Sequence, residues 1–135
     1  MRAKQCLTAS DAQKMVKASK DFAQASGWSV SIAVVDDGGF LLHLERLDGA
    51  VLQSPELAIL KARTAAICRC PTRTLEEVAK ERPATLTFPG RLAIQGGLPI
   101  NVMGECVGGI GISGVKSHED EKVAEAGLAA LELQV

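Results

Sequence analysis

Residues 108–114 read GGIGISG and lead directly into SHEDEKVAEAGLAALEL, and no other stretch narrows the possible folds as far. Gly109, Gly111 and Gly114 satisfy G-x-G-x-x-G by letter. A dinucleotide site sets that pattern in a strand–turn–helix–strand unit, with an acidic residue about twenty positions on for the ribose. Here the sequence reaches Val135 with a helix and no second strand, so no dinucleotide binding is expected. The pattern predicts instead a strand nearly bare on one face, where backbone or ligand can approach closely.

A chain of 135 residues, 47% hydrophobic and 23% charged, reads as one domain over residues 1–135. A chain of that size buries about two-thirds of its unfolded surface. Fifteen basic against sixteen acidic residues leave a net charge of −1, without the basic footprint of a nucleic-acid binder. One Trp, three Phe and no Tyr leave little on which to stack bases. No nucleic-acid partner is expected. No run approaches the ~18 apolar residues of a membrane span. The opening MRAKQCLTAS passes straight into a polar helix signal rather than a signal peptide, which points to no membrane partner and a cytoplasmic location. Cys6, Cys68, Cys70 and Cys106 form no disulfide framework, and Cys68-Arg69-Cys70 lacks the second pair a zinc site needs. Free thiols and no metal site are expected.

Thr8 and Asp11 read as a helix cap with its acidic partner, and Ala12, Met15, Val16, Ser19, Phe22 and Ala23 recur at helical spacing up to Gly27. SVSIAVVD (29–36) and FLLHLER (40–46) flank an Asp37-Gly38 turn and read as a hairpin. Ser54-Pro55-Glu56 starts a helix that Pro71 stops, and TLEEVAKE (74–81) predicts a short second one. RPATLTFPGR (82–91) reads as a loop, with a short strand near Arg91–Ile94 as a candidate addition to the sheet. LPINVM (98–103) and CVGGIGISG (106–114) form a second hairpin, and a last helix is capped by Ser117 to Asp120. Hairpin pairing makes the sheet mainly antiparallel, with helices packed on its faces.

Four pieces stand in order: VVDDGGFLLHLERLDGA, SPELAILKARTA, PGRLAIQGGLPI and CVGGIGISGVKSHEDEKVAEAGL. Over residues 12–131 they resemble the GlcG/HbpS family, named for a glycolate-utilisation protein and a haem-binding protein. They are also similar to the C-terminal domain of PduO-type cobalamin adenosyltransferases. The resemblance implies an α+β fold (α/β by some schemes), profilin-like, with a five-stranded antiparallel sheet flanked by helices. It implies a homo-oligomer, often an octamer, and no single activity: members are linked to haem, to corrinoids and to the catabolism of small oxygenated compounds.

The candidate site residues come from separate segments. Asp36 ends a strand and either builds the turn through side-chain to backbone bonds or faces a ligand. Arg46 closes the next strand and either pairs with Asp48 or Glu45 or binds a ligand carboxylate. Lys61 matches the family's K-A-x-T-A position and would hold a carboxylate or move a proton. Gly96 and Gly97 leave backbone N–H groups accessible to an anion. Glu119, in the first turn of the last helix, would serve as a general base. His43 and His118 are the two imidazoles suited to iron, without a motif that pairs them. The favoured reading is a protein that binds a small molecule, haem or another tetrapyrrole among the candidates. The alternative is a cofactor-free isomerase or lyase, with Lys61 and Glu119 as catalytic groups and Arg46, Gly96 and Gly97 holding a small carboxylate or aromatic metabolite.

Overall fold

A computed structural model describes residues 1–132. The elements are α1 (Ala9–Ala25), β1 (Ser31–Asp36), β2 (Leu41–Arg46), α2 (Ser54–Cys68), α3 (Thr72–Glu81), β3 (Gly97–Val102), β4 (Glu105–Ser113) and α4 (Ser117–Glu132), with a 3-10 turn at Pro83–Thr87. Local chemistry accounts for most of the boundaries. The Thr8 hydroxyl accepts from the Asp11 amide at 3.1 Å, and the Asp11 carboxylate accepts from the Thr8 amide at 2.8 Å, closing a capping box. Gly27, at φ +75°, makes the left-handed exit from α1. Asp36 Oδ1 accepts from the Gly38 and Phe40 amides at 2.9 Å each, so Asp36 builds the first hairpin's turn.

The strands pair antiparallel in the order β2-β1-β4-β3. Four strands stand among the described residues, where the family resemblance implied five. The segment near Arg91–Ile94 is not a strand, because its backbone is engaged elsewhere. The Leu92 amide donates to the Thr64 hydroxyl at 2.8 Å, and the Ile94 amide closes a tight turn onto the Leu92 carbonyl at 3.0 Å. β3 therefore remains an edge strand, a position that tolerates Pro99 and its missing N–H. Among the described residues no helix is long and apolar enough to cross a membrane.

The sheet is covered on both faces. Ile32, Val34, Ile100, Ile110 and Ile112 meet Met15 and Val16 of α1 and Val123 of α4 in a branched aliphatic layer. The opposite face carries a layer of small residues, Ala33 and Val35 against Ala58, Ala62 and Ala66 of α2. Gly109 and Gly111 complete that second layer. A Cβ on Gly109 would overlap the Ala62 carbonyl, and one on Gly111 would overlap the Ala58 carbonyl and the Ala62 amide. The bare strand read from the sequence is thus filled by helix backbone. At Gly109 and Gly111 α2 lies closer to β4 than any side chain there would allow, and dispersion between closely packed backbones replaces side-chain burial at those two positions.

Gly109→Ala should lower unfolding free energy by about 2–3 kcal/mol, because the added methyl forces α2 off the sheet. Urea denaturation checks this; a loss under about 0.5 kcal/mol, the range of an ordinary surface change, would show that the contact is not restrictive.

Candidate functional site

The close approach of α2 carries Lys61 under the sheet's end. Lys61 is only 3% exposed. Its Nζ donates to the Ile112 carbonyl at 3.0 Å and to Asp120 Oδ2 at 3.1 Å. The other Asp120 oxygen accepts from the Val115 amide at 3.2 Å. One buried ion pair therefore joins α2, the end of β4 and the first turn of α4. Gly96 admits the lysine: a Cβ there, at φ +132°, would lie 2.8 Å from Nζ. Gly97 is equally confined, since a Cβ would overlap the Lys61 carbonyl. Its amide donates to the buried Thr72 hydroxyl at 2.9 Å.

Burial raises the Asp120 pKa above its ordinary value; the Lys61 charge, the Val115 amide and the Lys61 hydrogen bond oppose that shift without cancelling it. An ammonium has three donors, and two of these are committed to Ile112 and Asp120. In this geometry Lys61 is a clamp between elements.

Of the residues singled out in the sequence, Lys61, Gly96 and Gly97 come together. Glu119 stands beside Asp120 in the chain, but its carboxylate accepts from the Lys116 amide at 3.2 Å and caps α4. Glu119 and Asp120, not Ser117, make the capping bonds found at this helix start. Arg46 is exposed at the end of β2 and pairs in register with Ser31, which pairs in turn with Ser113. That places it two strand spacings from β4, roughly 10 Å. Among the described residues it makes no ion pair with Asp48 or Glu45, and Glu45 is taken by Lys20. His43 lies half-buried on β2 and His118 exposed on α4, and no group of three or more metal-binding side chains forms among the described residues. The four cysteines are free.

Sequence reasoning passed over Asp120 in favour of its neighbour Glu119. Both acids sit in one helical turn, and only the rotation of α4 against β4 decides which one points inward. Glu121 was missed as well. It is 7% exposed; its Oε2 accepts from Gln95 Nε2 at 3.2 Å and lies 3.6 Å from Arg73, while its Oε1 is buried without a partner.

An antiparallel sheet between two helical layers, with a buried Lys–Asp clamp at one end, defines a compact α+β class. The chain belongs to the GlcG/HbpS family: a family model described as haem degrading protein HbpS-like matches residues 7–129. Protein GlcG of Escherichia coli K12 is 40% identical over 114 residues, 84% of this chain and 85% of that one. The crystal structure of HbpS superposes with a TM-score of 0.91 at 39% identity, covering 97% of this chain and 94% of the other. A crystal structure of a PduOC–haem complex gives a TM-score of 0.86 at 27% identity, covering 93% and 95%.

Lys61→Ala leaves a carboxylate buried and uncompensated and should cost roughly 3–5 kcal/mol, read as a clear drop in melting temperature. An unchanged melting temperature would rule out the clamp. The pH dependence has a definite sign. Folded Asp120 holds its proton more tightly than the ordinary value of 3.8. Its contribution to stability is complete below pH 3.8 and is lost as pH rises through the raised pKa. Relative to Asp120→Asn, the parent protein should therefore lose stability as pH rises from 3.8 through the raised pKa. The opposite trend would show that attraction to Lys61 outweighs burial.

Proposed function

We propose that this protein binds a small, flat, carboxylate-bearing ligand of the tetrapyrrole type, haem first among them, in connection with the catabolism of small oxygenated compounds. In this reading it is a cytoplasmic homo-oligomer, up to an octamer, whose residues 1–135 act as one domain. The observation that carries it is likeness over nearly the whole chain both to HbpS and to a domain solved with haem.

The residues present fit the needs of such a group. Phe40 and Phe88 are exposed and offer apolar surface for a macrocycle. The buried Arg91 Nε has no hydrogen-bond partner, which suits it to an anionic edge. His43 and His118 are the two imidazoles of the chain; His43 pairs with Val34 and so lies on the α1 side of the sheet, away from Phe88 and Arg91. Bound haem would supply an iron centre; the chain's own part is to hold and orient it and to cover its apolar faces. Arg46 and Glu119, both accessible, would border the ligand or a second subunit, while Lys61, Gly96 and Gly97 shape the floor beneath. The cofactor-free isomerase or lyase reading needs Lys61 free to move a proton, and its closed geometry does not favour that.

Leu52, 81% exposed, and Met103, 85% exposed, are apolar side chains that an assembly would cover. Light scattering at micromolar concentration should give a multiple of the 14.2 kDa chain mass, and a single-chain mass would overturn this. Titration with haem should give a saturable, shifted Soret band. A spectrum equal to that of free haem at micromolar protein would overturn the ligand assignment.

A further inference from the structure

Two arginines outside the Lys61 clamp hold their charge without a counter-ion. Arg63, on α2, and Arg91, beyond the 3-10 turn, have no carboxylate within 4.0 Å among the described residues. Arg91 Nε is also buried with no hydrogen-bond partner, an arrangement that disfavours the folded state unless something accepts from it.

Neither side chain is loose. The Arg63 stem crosses the first hairpin so closely that a Cβ on Gly39 would come within 2.7 Å of its Cγ. Its guanidinium then reaches Gly90, where a Cβ would lie 3.8 Å from one terminal nitrogen. The next residue in the chain is Arg91, whose guanidinium carbon sits 4.8 Å from the centroid of the Phe88 ring. The bond from the Leu92 amide to Thr64, the residue after Arg63, pins the loop to α2 at this point. Two cations are thus brought to one place by backbone contacts, beside Phe88; Phe40, one residue on from Gly39, turns its ring over Gly38. These rings are 53% and 69% exposed.

We propose that Arg63 and Arg91, with Phe88, form a binding site for the anionic edge of a flat aromatic ligand, the ring taking its apolar face and the guanidinium groups its carboxylates. The geometry suits this chemistry. A guanidinium meets a carboxylate with two parallel N–H donors, and an arginine already stacked on a ring loses little freedom in doing so. The assignment to a tetrapyrrole rests on the function proposed above; the assignment to an aromatic anion does not.

Two probes separate these claims. The first is 8-anilinonaphthalene-1-sulfonate, a flat aromatic anion followed by fluorescence; the second is haem, followed by its Soret band. Arg91→Ala and Arg63→Met, the latter keeping an unbranched stem against Gly39, should each weaken binding of the naphthalene probe roughly ten- to a hundred-fold. Lys17→Ala, on α1 across the sheet, should bind like the parent. Circular dichroism and melting curves confirm that the variants fold, and Arg91→Lys should recover part of the affinity. The site is overturned if the parent does not bind the naphthalene probe saturably, or if both arginine variants bind it as the parent does. If the naphthalene probe shows the arginine dependence and haem is not taken up, the site stands and the tetrapyrrole reading falls. If haem binds equally to parent and variants, haem is held elsewhere and the site is overturned as its location.

Discussion

Backbone-to-backbone packing of α2 on β4 is the constraint from which the rest of the structure follows. Gly109 and Gly111 present no side chain to the contact, so at those two positions the helix rests against the strand through the Ala58 and Ala62 backbone. A helix placed so close brings Lys61 beneath the end of the sheet, where a longer stand-off would leave it in solvent. The small-residue layer on this face and the branched aliphatic layer on the other divide the labour: one fixes distance, the other supplies buried apolar area.

A buried charge is tolerable only when it is paired and hydrogen-bonded. Lys61 meets that condition through the Ile112 carbonyl and Asp120, and Asp120 meets it through Lys61 and the Val115 amide. Replacement of such a pair by well-packed apolar groups is often neutral or stabilising, so its value here is positional. It ties together three segments that are far apart in the chain and sets where α4 begins. Gly96 and Gly97 belong to the same device, because side chains at either position would collide with the lysine. Glycines that the sequence suggests as an anion cradle are used to accommodate a cation.

The accessible chemistry lies outside this closed end. α2 turns its small residues to the sheet and Arg63 to the hairpin and the 90–92 segment, so one helix supplies both the clamp and a cationic outer surface. Beside α2, Phe88 and the two arginines join apolar surface to charge without a carboxylate partner, the combination a flat organic anion would require. Both cations are held in place, one against glycine and one against a ring, so such a ligand would lose little in ordering them.

Much of the fold was legible in the residues. The capping box at Thr8, the Asp36 turn, Pro55 at the start of α2 and the two hairpins are local signals, and local signals survive folding because they concern neighbours in the chain. The nearly bare strand at 106–114 was legible too, though not what fills it: sequence spacing shows the gap, while only packing shows that α2 backbone occupies it. The predicted strand near Arg91–Ile94 failed for a similar reason, since its amide at Leu92 found the Thr64 hydroxyl, 28 positions back in the chain, instead of a ladder partner. The sequence grouped Arg46, Lys61, Gly96, Gly97 and Glu119 in one site; the fold brings Lys61, Gly96 and Gly97 together and leaves Arg46 two strands away. Burial turns a lysine from a ligand contact into a clamp, and burial is a property of the assembled layers. The choice of Asp120 over Glu119 rests on a single step of about 100° around a helix, which no pattern of residue types determines. The sequence alone determined most of the helices, strands and turns, outside the 82–96 segment, and that one strand face is bare. Tertiary structure decided which charges are buried and which stay exposed, because desolvation depends on neighbours brought from distant parts of the chain.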